Sequence, residues 1–83
     1  MTNAHASDPA HRSAALSPRQ REILALVASG LSTADIADQL NITPGTVKTH
    51  LAMIYKTIDV RNRVQATRYY LDHIAPTAAS PAA

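Results

Sequence analysis

The sequence has no cysteine, no tryptophan and no phenylalanine among its 83 residues. Without cysteine, neither a disulfide framework nor a cysteine-based zinc site can form. The four histidines, at positions 5, 11, 50 and 73, lie far apart and include no pair four residues apart. A metal cluster is therefore not expected, and we predict neither a metal nor any other cofactor.

Long apolar runs are also lacking. No stretch approaches the ~20 residues that cross a bilayer, and the N-terminus has no basic segment followed by an apolar one. The sequence also has no paired carboxylates, activated nucleophile or phosphate-binding loop that would suggest an enzyme. We expect a cytoplasmic protein that is not an enzyme and has no membrane partner.

Charge is unevenly distributed along the chain. The net charge is only +2, but residues 43–68 carry five basic side chains against one acid, Asp59, a net charge of +4 for this part. A concentrated basic region is typical of nucleic-acid binders, although a solvated cationic surface would look the same. With 83 residues, 46% of them hydrophobic, the chain has room for one small domain.

Two helices are predicted in the first half of the chain. Ser17, Pro18 and Gln20 form a capping box with proline at the first helical position, and Gly30 is suited to the left-handed residue that ends a helix. The first helix should span about residues 18–29. Ser32 caps a second helix over residues 33–40.

Two more helices follow. Thr43 and Pro44 begin a third helix over residues 44–58, with Asp59 in the turn where glycine is more usual. Asn62 and Gln65 form a capping box that begins a fourth helix over residues 63–74. Its predicted inward residues are Ala66, Tyr70, Leu71 and Ile74.

The second and third helices have the pattern of a helix-turn-helix. Small Ala37 permits close crossing, and Asn41 suits a turn with positive φ. Apolar residues recur at Ile36, Leu40, Ile42 and Val47. A plain helical hairpin is the alternative. We predict an all-α fold, a compact four-helix bundle that contains a helix-turn-helix.

The third helix has two different sides. At ~100° per residue, one side carries Val47, Leu51, Ile54 and Ile58, and the other carries Gly45, Thr49, Ala52 and Lys56, with Lys48 on its flank. On this interpretation the second side has no large apolar residue and no acid. Such a surface suits a groove lined with phosphates, but an ordinary solvated helix face would have a similar composition.

The ends of the chain have no helical periodicity. Residues 1–15 are predicted to form a disordered arm or linker, which is either a tether to another domain or a native tail. Residues 76–83, rich in alanine and proline, are predicted to form a disordered tail. The folded domain should span residues 16–75.

From Leu16 to about Ile74 the chain resembles the LuxR-type (GerE-like) helix-turn-helix family, found as the C-terminal output domain of NarL/FixJ-class response regulators. The matching segments are LSPRQREIL at 16–24, GLS and DIADQLNIT within 30–43, TVKTHL at 46–51 and VRNRVQA at 60–66. Four segments in order make this resemblance highly specific.

The resemblance implies that the third helix enters the major groove of double-stranded DNA and that the fourth helix forms a homodimer, at least on DNA. It places Lys48, Thr49 and Ala52 at base-reading positions. It places Thr43, Thr46, Lys56 and Arg63 near phosphates. Ala52 stands where some relatives have lysine, so one base contact should be missing or reduced to touching a thymine methyl group.

The function we predict is sequence-specific DNA binding for transcription regulation. The chain would be the output domain of a response regulator in a two-component system, or a small stand-alone regulator, with RNA polymerase as a further candidate partner. The alternative is a helix-turn-helix module that binds proteins, such as RNA polymerase or a sensor domain, and no longer binds DNA.

Overall fold

Helices make up most of residues 9–75, the part of the chain that this computed structural model describes. The α-helices are α1 (Pro9–Arg12), α2 (Pro18–Ala28), α3 (Thr33–Leu40), α4 (Pro44–Ile58) and α5 (Arg63–Tyr69). A 3-10 turn, Ser13–Ala15, follows α1, and a π-helical segment, Tyr70–Ile74, continues α5. The predicted all-α fold with four main helices is confirmed by α2 to α5.

The helix ends follow from local hydrogen bonds. The backbone N–H of Gln20 donates to the Ser17 hydroxyl at 3.1 Å, and the N–H of Ser17 donates to the Gln20 side chain at 3.0 Å, which completes the capping box. At α3 and α4 the hydroxyl oxygens of Ser32 and Thr43 accept from the backbone N–H groups three residues later, without the reciprocal bond. The predicted starts of these three helices are confirmed. The sequence could predict them because each cap joins residues only three positions apart.

The core lies where α2 meets the other helices. α2 contacts α3, α4 and α5, and α3 packs on α4. The core consists of these buried helical residues: Ile23, Leu24, Val27, Ile36, Ala37, Val47, Ile54, Ile58, Ala66, Tyr69 and Ile74. Burial of one side of α4 fixes which of its residues face outward, and this decides the candidate site.

The predicted fourth helix corresponds to α5 and its π-helical extension, and it buries a different set of residues from the predicted set. Tyr69 is buried and Tyr70 only half-buried, while Leu71, predicted to face inward, is 51% exposed. The reason is the π-helical segment, whose wider turn places Ile74 on the same inward side as Tyr69, five residues earlier. Because Tyr69 faces inward, Leu71 falls ~160° away from it around the helix and faces outward, so the prediction for Leu71 was wrong.

Residues 9–15 are helical, contrary to the predicted disordered arm. Arg21 Nη2 donates to the backbone oxygen of Ser13 at 2.8 Å, and Ser13 is buried. Burial raises the pKa of the Tyr69 phenol, while hydrogen bonds with Ser13 act in the opposite direction. The arm prediction is wrong for residues 9–15, because these contacts come from α2 and α5, outside the predicted arm. Residues 1–8 and the predicted tail, 76–83, lie outside the described residues.

Candidate nucleic-acid interface

The helix-turn-helix consists of α3, a short turn and α4. Asn41 ends α3 with φ 59° and ψ 46°, the left-handed conformation that asparagine tolerates better than most residues. The N–H of Ile42 donates to the carbonyl of Ala37 at 2.9 Å and closes the turn. Ala37 is 3% exposed, so only a small side chain fits at this position. The predicted turn at Asn41 is confirmed.

The N-terminus of α4 presents two hydroxyl groups. Thr43 Oγ1 accepts from the Thr46 N–H at 3.1 Å, and the two threonine hydroxyl oxygens lie 3.0 Å apart. One hydroxyl proton is used between them, so the other remains available to a ligand. Both residues are exposed. Together with the positive end of the helix dipole, they form a surface suited to an anion.

The outward side of α4 brings the three predicted base-reading residues together. Lys48, Thr49 and Ala52 are all exposed, while Val47 and Ile54, on the opposite side, are fully buried. Residues three and four positions apart on a helix are neighbours, so Ala52 adjoins both Lys48 and Thr49. Their contact with bases stays a prediction.

Lys56 continues the same side of α4 one turn further on. It is exposed, and it lies four residues after Ala52. α4 contains no acidic residue, so its two lysines give the exposed surface a positive charge. This charge and the small size of Gly45, Thr49 and Ala52 allow close approach to a polyanion.

Met53 also belongs to this exposed side, although the sequence interpretation gave it no large apolar residue. Its side chain is 53% exposed. The helical period would have located it, because at ~100° per residue Met53 falls only ~40° from Thr49. The exposed side of α4 is therefore partly apolar.

Arg63, a predicted phosphate-binding residue, makes an internal contact in this structure. Its Nη1 donates to the carbonyl oxygen of Leu31 at 3.0 Å, and Nη2 donates to the same oxygen. The residue is half-buried. It joins the start of α5 to the connection between α2 and α3, which no local sequence signal indicated. The phosphate contact of Arg63 stays a prediction, and this internal contact is the alternative to it.

The C-terminus of α4 has a charge partner that the sequence did not suggest. Asp59 adopts φ 61° and ψ 50° at the end of α4, so the predicted turn is confirmed. Its carboxylate lies 3.9 Å from the guanidinium of Arg12. Arg12 thereby offsets the acid in the basic region, although so exposed a pair contributes little to stability.

The capping interaction at α5 is also only partly the predicted one. The Gln65 N–H donates to the Asn62 side chain at 2.9 Å, as in a capping box. The Gln65 side chain, however, accepts from the backbone N–H of Arg61 at 2.8 Å. The result fixes the start of α5 and leaves the Arg61 side chain exposed.

A sequence profile of the family described as "Bacterial regulatory proteins, luxR family" matches residues 14–70. The chain belongs to this family. The resemblance drawn from the sequence is confirmed, and with it the class of function, that of a helix-turn-helix domain in DNA-binding transcription regulators. Domains of this family are not typically enzymes. Within residues 9–75, no helix is both long and apolar enough to span a membrane.

Several family members resemble the chain over most of its length. YhjB of Escherichia coli (strain K12) is 53% identical over 51 residues, which are 61% of this chain and 26% of that protein. The transcriptional regulatory protein DesR of Bacillus subtilis (strain 168) is 43% identical over 51 residues, with the same coverage. The response regulator protein VraR of Staphylococcus aureus (strain NCTC 8325 / PS 47) is 43% identical over 58 residues, 70% of this chain and 28% of that protein. The chain thus matches about a quarter of the length of each relative.

Proposed function

We propose that this chain binds double-stranded DNA sequence-specifically and thereby regulates transcription, with α4 in the major groove. The observation that carries the proposal is the exposed side of α4, where Lys48, Thr49 and Ala52 lie together. Lys56 lies next to them, and α4 has no acidic residue. An α-helix fits the major groove, and a surface of small and cationic side chains lets its backbone approach the base edges.

The exposed residues divide into two roles. Lys48 donates to base acceptors such as guanine O6 and N7, while Thr49 and Ala52 meet the bases beside it. Thr43 and Thr46, with their free hydroxyl proton, and Lys56, with its charge, hold phosphates and fix the register of the helix. The phosphate contacts supply affinity, and the base contacts supply sequence preference.

The names of its relatives support a proposal for the role of the domain in a larger protein. DesR and VraR carry the names of a transcriptional regulatory protein and a response regulator, and this chain matches about a quarter of each. We propose that it acts in the bacterial cytoplasm as the output domain of a response regulator, or as a small stand-alone regulator. Contact with RNA polymerase stays a prediction.

Replacing each lysine of α4 separates the two roles. Lys48→Ala should weaken binding to the preferred sequence by ~1–3 kcal/mol and reduce the preference for that sequence over random DNA. Lys56→Ala should weaken binding to both DNAs by the same factor, because a phosphate contact carries no sequence information. Fluorescence anisotropy with both duplexes measures this. Equal losses on both duplexes for Lys48→Ala would contradict its role in base reading.

We also propose that two copies pair on DNA through α5 and its π-helical extension, which correspond to the predicted fourth helix. Val64 and Leu71 are 78% and 51% exposed, and they line one groove with Gly30 and Leu31 of the connection after α2. Large apolar side chains left in water favour a partner surface, and a second copy presents the same residues across a two-fold axis. A small domain with a thin stability margin benefits from such a contact.

The pairing predicts cooperative binding to a duplex with two half-sites about one helical turn apart. Leu71→Gln should reduce this cooperativity about fivefold or more, since removing an apolar contact of this size costs ~1–2 kcal/mol. Binding to a single half-site serves as the control and should not change. Sedimentation of the complex should give two chains per duplex. One chain per two-site duplex at saturation would contradict the proposal.

A further inference from the structure

Met53 places a flexible apolar side chain in the middle of the positively charged side of α4. The side chain is 53% exposed. The other two exposed large hydrophobic residues among those described, Val64 and Leu71, belong to α5 and its π-helical extension. Thr49 lies one turn before Met53, and Lys56 lies one turn after it. Met53 thus lies on the surface that carries the proposed base contacts.

The hydroxyl of Thr49 is already used inside the helix. Its Oγ1 donates to the carbonyl oxygen of Gly45 at 3.1 Å. A threonine hydroxyl has one proton, so Thr49 has none left for a base acceptor in this arrangement. Its methyl group and the lone pairs of its oxygen remain for a ligand.

Three neighbouring side chains therefore offer apolar groups at this surface. Thr49, Ala52 and Met53 occupy positions i, i+3 and i+4 of α4, which are adjacent on a helix, and all three are exposed. We call these three residues the methyl patch. Lys48 and Lys56 lie on either side of the patch along α4 and direct it toward a polyanion.

One base presents an apolar group in the major groove. Thymine carries a C5 methyl group there, and apolar side chains distinguish thymine from the other bases by contact with it. Methionine is unbranched and polarizable, so it can follow an irregular apolar surface. Covering its exposed part removes apolar area from water, and this favours thymine over cytosine at the same position.

We propose that the methyl patch reads thymine methyl groups and that Met53 is a specificity-determining residue of the site. The proposal rests on the DNA-binding function proposed above and adds the chemistry of the bases that this part of α4 recognises. A half-site should carry guanine opposite Lys48 and thymine opposite the methyl patch.

Deoxyuridine tests the proposal because it differs from thymidine only by the C5 methyl group. The duplex is the sequence that the 83-residue chain selects from a random pool, remade with each thymidine in turn replaced by deoxyuridine. Removing one buried methyl contact should weaken binding about fourfold, at one or two positions in each half-site. Met53→Ala should weaken binding to the unmodified duplex by a similar factor. For this variant, deoxyuridine at one of the sensitive positions should no longer weaken binding further.

Three controls accompany the measurement. Met53→Leu keeps an apolar side chain of similar size and should keep the sensitivity to deoxyuridine. Because Met53 is half exposed, its replacement by alanine should leave thermal unfolding nearly unchanged, which circular dichroism can check. Deoxyuridine outside the half-sites should have no effect on any variant.

The outcomes distinguish this inference from the function on which it rests. The inference is overturned if the chain binds the selected duplex but deoxyuridine weakens binding at no position. It is also overturned if deoxyuridine weakens the binding of Met53→Ala at every position where it weakens that of the unsubstituted chain. Absence of binding to any duplex at low salt would instead overturn the DNA-binding function itself, and the inference with it.

Discussion

Raising the salt concentration from about 50 to 200 mM should weaken binding to a two-half-site duplex by about three decades. Each neutralised phosphate contributes about −0.9 to the slope of log affinity against log salt, and a dimer with ~6 phosphate contacts would have a slope of about −5. Only cations release counterions, and each copy has three exposed ones from the start of α4 to Arg61, namely Lys48, Lys56 and Arg61. Fluorescence anisotropy at four or more salt concentrations measures the slope.

The Lys56→Ala variant provides the matched control for this measurement. It removes one cationic contact from each copy, so the magnitude of the slope should fall by about 2 for a dimer. Arg19→Ala removes the same charge from the exposed surface of α2, where the guanidinium pairs with Glu22 at 3.3 Å, and should change the slope little. No salt-sensitive binding at low salt would favour the alternative, a helix-turn-helix module that binds proteins.

The parts of the fold that the sequence predicted correctly depend on contacts between nearby residues. The capping box joins Ser17 and Gln20, which are three positions apart. The left-handed turns at Asn41 and Asp59 lie between the end of one predicted helix and the start of the next. The buried side of α4 follows from a regular helical period. Such signals are complete within a short window of sequence.

The parts that the sequence missed depend on distant contacts or on departures from a regular helix. The bond from Arg63 to Leu31 joins residues 32 positions apart. Ser13 is buried because Arg21 and Tyr69 reach it from two other helices. The π-helical segment lets Tyr69 and Ile74, five residues apart, both be buried, whereas the sequence analysis placed Tyr70 inward. None of these could be read from the spacing of apolar residues.

The candidate site was predictable in position but not in chemistry. The exposed side of α4 was located correctly, yet Thr49 and Met53 turn part of it into an apolar patch. The hydrogen bond from Thr49 to Gly45 decides this, because it uses the hydroxyl proton that a base acceptor would need. The presence of a threonine in the sequence does not show whether its hydroxyl proton is already used in a hydrogen bond within the helix.

Arg63 should matter for folding and not for DNA affinity. Its guanidinium makes two hydrogen bonds to the Leu31 carbonyl, and hydrogen bonds that involve a charged group contribute ~1.5–3 kcal/mol. Arg63→Ala should therefore lower the free energy of unfolding by about 2–3 kcal/mol. A single core in so small a domain supplies only ~3–5 kcal/mol, so this variant should be close to unfolding at 37 °C. Urea denaturation measures the change.

Two further variants separate an internal role of Arg63 from a phosphate contact. Arg63→Lys keeps the charge but lacks the planar fork that places two donors on one oxygen, so it should recover only part of the lost stability. Arg61→Ala removes an equal charge two positions away from an exposed side chain and should leave stability within ~0.5 kcal/mol. The DNA-binding salt slope of Arg63→Ala, measured well below its unfolding temperature, should equal that of the unsubstituted chain. An Arg63→Ala variant of full stability and with a reduced slope would show instead that the guanidinium leaves Leu31 to bind phosphate.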